Sequence, residues 1–166
     1  MKYAAAALLG FVSAQQDLVV PIEFNPATMT QEFEKVLQQV TDADGDQVTF
    51  SQCDDDTKAL TLDASATTYS PDPFGAGDTL TFDYAGSLTS SVTVSVVHVT
   101  VKWGAITLSD DDHDLDGGPQ TFDTDFDLSI HFTLPAVAPK GSYTAKVVGK
   151  DDSGTSVSCV NSSFNL

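Results

Sequence analysis

The stretch DFDLSIHFTL, which runs from Asp125 to Leu134, has an apolar side chain at every second position. Phe126, Ile130 and Phe132 fall on one side of an extended chain, whereas aspartate, serine and histidine fall on the other. This period of two is typical of a β-strand that buries one face against a core and exposes the other. The stretch therefore predicts a strand in a sheet whose inner face is strongly apolar.

The same period of two continues through most of the chain after residue 47. In TLTFDYAG, for example, Leu80, Phe82 and Tyr84 share one phase. Clusters of Gly, Pro and Asp separate the alternating runs, as turns require. The runs lie near 47–53, 58–65, 78–85, 91–108, 124–134, 143–150 and 155–160. About seven short strands of this kind predict an all-β fold, an immunoglobulin-like sandwich of two sheets.

The run SVTVSVVHVTVKW changes phase in its middle. One phase holds Val92, Val94 and Val96, and the other holds Val97, Val99, Val101 and Trp103. A shift of one residue moves side chains to the opposite face of a strand. The run therefore predicts either a β-bulge or a strand that changes its partner.

The N-terminus reads MKYAAAALLGFVSAQQD. Lys2 precedes an apolar run that is too short to span a bilayer, and Ser13 and Ala14 are small residues that suit signal-peptidase cleavage. We therefore predict a signal peptide over residues 1–14. The mature protein is then secreted or delivered to a lumen such as that of endolysosomes, where disulfides persist.

Residues 15–46 are predicted to form a helical extension ahead of the sandwich. All three glutamates of the chain, which favour helices, precede residue 35. Apolar residues at helical spacing between Met29 and Val40 mark one face of a short amphipathic helix over 28–40. This helix has three candidate roles: a cover for the mouth of the sandwich, a removable segment, or a contact with a partner.

The charge of the chain is strongly acidic. There are 24 Asp and Glu residues against seven cationic residues, all of them lysines, and the formal net charge is −17. Such a surface repels phosphate backbones and anionic head groups, which excludes nucleic acid as a partner. It also keeps the protein soluble, and we expect a monomer.

Cys53 and Cys159 are the two cysteines of the chain and allow one disulfide. A metal site would require more ligands at closer spacing. A bridge between cysteines this far apart would add up to about 4–5 kcal/mol of stability in the chain-entropy model. The sequon Asn161-Ser162-Ser163 makes Asn161 a candidate for N-glycosylation.

The stretch DADGDQVTFSQC, residues 42–53, begins like an EF-hand calcium loop. Its sixth position is Gln47 and its twelfth is Cys53, where such a loop requires glycine and a bidentate carboxylate. We interpret the stretch as a turn that leads into the first strand of the sandwich.

A second acidic stretch, DHDLDGGPQTFD, fits the calcium pattern better. Asp112, Asp114 and Asp116 stand at loop positions 1, 3 and 5, Gly117 at position 6, and Asp123 at position 12. These four aspartates form a possible calcium site. The alternative is a solvated acidic loop in a protein that is acidic throughout.

Residues that carry catalysis are not arranged in any recognisable pattern. His98, His113 and His131 are scattered, and there is no nucleophile elbow, HExxH motif or Cys–His pair. The sequence therefore predicts no enzyme and no cofactor beyond the possible calcium ion.

The apolar faces of the strands admit two interpretations. The inner side chains of the two sheets either meet in a solid core or leave an apolar cavity that holds a ligand. The periodicity is the same in both cases.

Four segments, taken in chain order, resemble one protein family. VTFSQC resembles its first strand with a cysteine, and YSPDPFGAGDTLTFDYAGSL resembles its P-x-P-x-x-G-x-x-L segment. VHVTVKWGAITL is similar to a strand of fungal phosphatidylglycerol/phosphatidylinositol transfer proteins, and LPAVAPKGSYTAKVVGKDDSGTSVSCV to the family's C-terminal strands. Together they span about residues 47–166 and resemble the ML-domain (lipid-recognition) family, to which the Niemann–Pick sterol carrier also belongs.

The resemblance implies a lipid-binding sandwich over residues 47–166, a bridge between Cys53 and Cys159, and a lipid held between the sheets. The family's two short disulfides are absent, and the acidic loop SDDDHDLDGG stands in place of one of them. The residues that the resemblance places against the lipid are Phe82, Tyr84, Val94, Val96, Trp103, Phe126, Leu128, Ile130 and Phe132.

Two functions follow from these patterns. The first is a secreted or lumenal lipid-binding and transfer protein that carries a sterol or phospholipid and transiently contacts membranes or a lipid-handling protein. The alternative is an extracellular calcium-binding or adhesion module whose sandwich has a solid core.

Overall fold

The computed structural model describes residues 16–21, 48–54 and 59–166. The regular elements of these residues are β-strands, and no helix among them is long and apolar enough to cross a membrane. The predicted signal peptide and the predicted helix over 28–40 lie outside the described residues, as does the first half of the first acidic stretch, residues 42–47.

Twelve strands make up the described part of the chain. In chain order they are β1 (Gln16–Pro21), β2 (Thr49–Gln52), β3 (Leu60–Leu62), β4 (Thr68–Ser70), β5 (Thr79–Leu88), β6 (Val92–Val94), β7 (Val96–Trp103), β8 (Ile106–Asp114), β9 (Gln120–Phe122), β10 (Asp125–Thr133), β11 (Ser142–Lys150) and β12 (Ser156–Asn165).

Two five-stranded sheets form the layers of a sandwich. Sheet A has the strand order β1-β10-β5-β3, with β4 also paired to β5, and sheet B has the order β2-β12-β11-β7-β8. Strands β6 and β9 pair as a separate two-stranded ribbon. Buried apolar side chains of both sheets belong to one hydrophobic core. The all-β two-sheet sandwich that the sequence predicts is confirmed.

Strands β5 and β10 show how alternation produces this core. They pair antiparallel, with Leu128 opposite Tyr84 and Ile130 opposite Phe82. All four side chains are buried, and each burial of this size contributes roughly 1.5–3 kcal/mol. The other face of the same two strands is polar, which fixes the register because a slip of one residue would reverse the faces.

The phase change in the valine-rich run is a change of partner. Val92 and Val94 lie in β6, which pairs with β9, whereas β7 pairs with β11 and β8. Ser95, between the two strands, donates its backbone N–H to the carbonyl oxygen of Lys150 at 2.8 Å. One of the two predicted explanations, a strand that changes its partner, is therefore correct.

Strand β1 was not predicted. It lies in the segment 15–46 that the sequence analysis assigned to a helical extension, but it forms an edge of sheet A, parallel to β10. Its Leu18 and Val20 are buried in the core, and Val19 between them is 60% exposed. Two inward residues are too few to establish a period of two in the sequence.

The acidic stretch from Asp110 to Asp114 is a strand and not the loop that the sequence analysis expected. It forms the C-terminal half of β8. This strand pairs antiparallel with β7, from Val96 opposite Asp114 to Trp103 opposite Ile106. Its outward side chains bond across the sheet, for example from Thr100 Oγ1 to Asp110 Oδ1 at 2.7 Å. Charged residues are common on edge strands because they prevent pairing with another chain.

The two cysteines form the bridge that the resemblance implies. Cys53, directly after β2, is bonded to Cys159 of β12, with 5.5 Å between their Cα atoms. The backbone N–H of Cys53 also donates to the carbonyl oxygen of Cys159 at 3.3 Å. The bridge therefore fixes the short edge strand β2 to the C-terminal strand of sheet B.

Gly86 marks the closest approach of two strands in sheet A. A Cβ atom there would lie 2.6 Å from the carbonyl oxygen of Thr61 and 2.9 Å from Leu60 Cδ1. We expect Gly86→Ala to lower the free energy of unfolding by about 1–3 kcal/mol in urea denaturation, because β3 must move away from β5.

Gly75→Ala is the matched control for this substitution. A Cβ atom at Gly75 would have Asp78 Oδ2 as its nearest neighbour, at 3.9 Å, so we expect a change within about 0.5 kcal/mol. Equal urea midpoints for the two variants would show that the space beside Gly86 is not limiting.

Candidate functional site

The interior between the two sheets contains eight of the nine residues predicted to face a lipid. Each of the eight is 3% exposed or less, and all belong to the single hydrophobic core. They come from both sheets and from the β6–β9 ribbon. The eight are Phe82, Tyr84, Val94, Trp103, Phe126, Leu128, Ile130 and Phe132.

Val96 is the predicted residue that the structure places elsewhere. It begins β7 and is half-buried, while its neighbour Val97 is fully buried. Alternation along the strand puts Val96 on the outer face together with His98. The sequence pattern predicts the phase of Val94 for this residue, and the break at Ser95 removes it from that phase.

Phe82 stands at the centre of an aromatic cluster that joins the sheets. Its ring centroid lies 5.2 Å from that of Phe132 in sheet A. From sheet B, Phe50 lies 5.5 Å and Phe164 lies 5.7 Å from it, both edge-on. Such edge-to-face contacts are favourable beyond the area that they bury. On this side the two layers are therefore in direct contact.

Phe50 and Phe164 are interior residues that the sequence analysis did not select. The last predicted strand stopped at residue 160, but β12 continues to Asn165. A period-two signal was present, since Val160, Ser162 and Phe164 alternate and all three are buried. The serines at 162 and 163 weaken that signal because they are not typical of strands.

One end of the interior is closed by the loop between β10 and β11. Trp103 Nε1 donates to the carbonyl oxygen of Lys140 at 3.2 Å, and Tyr143 Oη donates to that of Pro139 at 2.7 Å. Gly141 has φ of +135°, and a Cβ atom there would lie 2.8 Å from Trp103 Nε1. The loop is therefore fixed against the Nε1 edge of the indole ring.

A hydrogen bond between two side chains crosses the interior. Tyr84 Oη of sheet A and Ser162 Oγ of sheet B lie 2.6 Å apart, and both residues are 0% exposed. Burial raises the pKa of Tyr84 well above its ordinary value of 10.0, and the bond to Ser162 offsets this only in part. The phenol therefore stays neutral at every physiological pH.

The four aspartates of the possible calcium site are not brought together. Among the described residues, no three His, Cys, Asp or Glu side chains are placed to hold a metal ion. Asp112 instead accepts hydrogen bonds from Lys150 Nζ at 2.8 Å, and Asp123 accepts one from Ser91 Oγ at 3.0 Å. Asp112 and Asp114 both lie in β8, so the chain is extended where the first turn of a calcium loop would have to begin.

His98 joins the carboxylates on the outer face of sheet B. Its Nδ1 lies 2.8 Å from Asp112 Oδ1 and its Nε2 lies 3.1 Å from Asp110 Oδ1. The hydrogen bond from Lys150 and then that with His98 lower the pKa of Asp112 below its ordinary 3.8. The bond from Thr100 is the largest cause of the lowered pKa of Asp110. These groups form an exposed network of structural contacts.

The outer face of sheet B also carries a polar depression of about 640 Å³. Lys102, Lys146 and Asn161 line it together with hydroxyl side chains of the neighbouring strands. Asn161, the residue of the sequon, is therefore on the outside of the sandwich and half-buried. Charged and hydroxyl groups do not suit hydrocarbon, so the apolar interior is the better candidate site for a lipid.

Several known proteins are similar to this chain. The family model of the ML domain matches residues 47–166. Two Dictyostelium discoideum proteins that carry the name phosphatidylglycerol/phosphatidylinositol transfer protein match at 31% and 28% identity. The first match spans 58% of this chain and 72% of the relative, the second 54% and 67%. Among solved structures, chicken MD-1 complexed with lipid IVa is 14% identical, with a TM-score of 0.43 over 76% of this chain and 94% of that one.

Proposed function

The chain belongs to the ML-domain family, and on this premise we propose that it is a secreted or lumenal protein that binds a lipid between its sheets and transfers it between membranes. The observation that carries the proposal is the apolar interior that sheets A and B build together. Burying hydrocarbon stabilises a complex by roughly 0.8 kcal/mol per CH₂. Binding therefore needs no reactive group, and the protein is a carrier and not an enzyme.

The names of the relatives support one class of lipid, and the charge of the chain bears on how the protein meets a membrane. The names of the two Dictyostelium relatives favour a glycerophospholipid, and a sterol is the second candidate. A net charge of −17 disfavours lasting attachment to anionic bilayers. Contact with a membrane is therefore transient, as release of the cargo requires. The predicted signal peptide and the disulfide support passage through an oxidising compartment.

Mass spectrometry of the protein purified without detergent tests this proposal directly. We expect a bound lipid to be released on denaturation, and the purified protein to move phosphatidylglycerol from donor to acceptor vesicles faster than buffer alone.

Two neighbouring residues of β11 provide a matched pair, because Ala145 is buried and Thr144 is exposed. Ala145→Phe fills the interior, whereas Thr144→Phe adds the same ring to the outer face.

We expect Ala145→Phe to lower bound lipid and transfer at least tenfold, and Thr144→Phe to leave both near the wild-type level. Circular dichroism confirms that each variant is folded, and Ala145→Leu is the smaller replacement if the phenylalanine is not tolerated. Absence of lipid from the wild type, with no transfer of phosphatidylglycerol or cholesterol, would rule the carrier function out.

A further inference from the structure

The hydroxyl groups of Tyr84 and Ser162 stand out within the interior because they connect the two layers. Their oxygens are 2.6 Å apart, one on β5 of sheet A and the other on β12 of sheet B. Both residues are fully buried among apolar side chains. A molecule that lies between the sheets at this level contacts the pair or separates it.

Stability alone does not explain why this position is polar. Replacing both partners of a buried hydrogen bond by apolar groups of the same shape is nearly neutral for folding. Phenylalanine and alanine would therefore serve the core as well as Tyr84 and Ser162. The two hydroxyl groups do, however, supply one donor and one acceptor that an apolar pair lacks.

On the inner face of sheet B, a row of small side chains runs across the strands to the pair. Ala145 is the register partner of Ser162, and Val101 is the register partner of Ala145. On the other side of Ser162 the register partner is Phe50, whose ring meets that of Tyr84 edge-on at 5.8 Å. Hydrocarbon in this row would thus end at the hydroxyl pair, with Phe50 closing the row behind it.

The charges around the pair select the kind of group that fits. Lys146 follows Ala145 in β11 and lines the depression on the outer face, as does Lys102 of β7. Their ammonium groups therefore lie on the opposite side of sheet B from Ser162. A phosphate or carboxylate buried beside neutral hydroxyls would keep an unpaired charge. A neutral oxygen would instead exchange its hydrogen bond with water for one with the pair.

We propose that Tyr84 and Ser162 form the polar recognition site for the bound lipid and that they take a neutral oxygen of it, a hydroxyl or an ester carbonyl. The oxygen accepts a hydrogen bond from one hydroxyl of the pair, and a lipid hydroxyl also donates to the other. A charged head group stays outside the sandwich. This inference rests on the proposed lipid carriage and adds the basis of its specificity.

Competition between matched lipids tests the recognition site. Phosphatidylcholine vesicles present either cholesterol with 5-cholestene, which lacks the hydroxyl, or diester phosphatidylglycerol with its diether analogue, which lacks the ester carbonyls. The protein is re-isolated and the bound lipids are counted by mass spectrometry. We expect the wild type to enrich the oxygen-bearing member of at least one pair about tenfold, the value of one good hydrogen bond. The pair that responds distinguishes a sterol hydroxyl from a phospholipid ester.

Tyr84→Phe, Ser162→Ala and the double variant are expected to bring this enrichment close to onefold. Ser162→Ala leaves the aromatic cluster intact, so it serves if Tyr84→Phe folds poorly. Tyr143→Phe is the control, because its hydroxyl bonds to Pro139 of the loop, and it should keep the wild-type preference. Enrichment that survives in the double variant, or a wild type that binds lipid without preference, overturns the recognition site and leaves carriage standing. A wild type that binds neither pair overturns the recognition site, and one that also takes up no phosphatidylcholine from the vesicles overturns carriage as well.

Discussion

Removal of the Cys53–Cys159 bridge is expected to lower the free energy of unfolding by about 4–5 kcal/mol, the chain-entropy value for a closed loop of this size. The two cysteines are 106 positions apart, so the bridge greatly restricts the unfolded chain. It also fixes β2, a four-residue edge strand whose sheet partner is β12. At about 2–4 °C per kcal/mol for a chain of this length, the melting temperature should fall by roughly 10–15 °C.

The measurement compares Cys53→Ala/Cys159→Ala with the wild type in urea and in thermal unfolding. Wild-type protein treated with a reductant should approach the double variant, because both lack the same constraint. Ser51→Ala, on the exposed side of β2, is the control and should unfold like the wild type. If the double variant keeps the wild-type midpoint, the bridge does not restrict the unfolded chain as the entropy argument requires.

Prediction from the sequence succeeds where one face of a strand is apolar and the other polar. Phe82 in β5 and Ile130 in β10 lie in such strands, and both are buried as expected. It fails for β8, whose C-terminal half is acidic, because pairing with β7 and not burial holds that half in place. Alternation in the sequence predicts which side chains of a strand are buried, but it does not predict which strands pair.

The burial of most interior residues was predictable from the sequence, but their arrangement was not. A single residue, Ser95, separates two strands with different partners and thereby moves Val96 to the outer face. The contact between Tyr84 and Ser162 joins residues 78 positions apart on opposite sheets. Such a pair depends on how the layers are superposed, and alternation within one strand contains no information on this.

Phe82→Ala is expected to lower the free energy of unfolding by about 3–5 kcal/mol, the range for removing a fully buried phenylalanine. Phe82 is 0% exposed, and its ring meets aromatic rings of both sheets at centroid distances of 5.2–5.7 Å. Its loss therefore leaves a cavity at the junction of the layers. Urea denaturation of the variant, followed by tryptophan fluorescence of the buried Trp103, gives the change.

Phe122→Ala is the matched control, because Phe122 is half-buried in the β6–β9 ribbon and contacts Phe126 at 5.0 Å. We expect it to cost roughly 1–2 kcal/mol, in proportion to the smaller area that it buries. A lipid held between the sheets binds the folded state and stabilises it in proportion to the logarithm of its concentration. Phosphatidylglycerol or cholesterol should therefore raise the urea midpoint of the wild type and of any variant that still binds the lipid. If Phe82→Ala costs no more than Phe122→Ala, the aromatic cluster does not hold the layers together and the sheets separate at little cost.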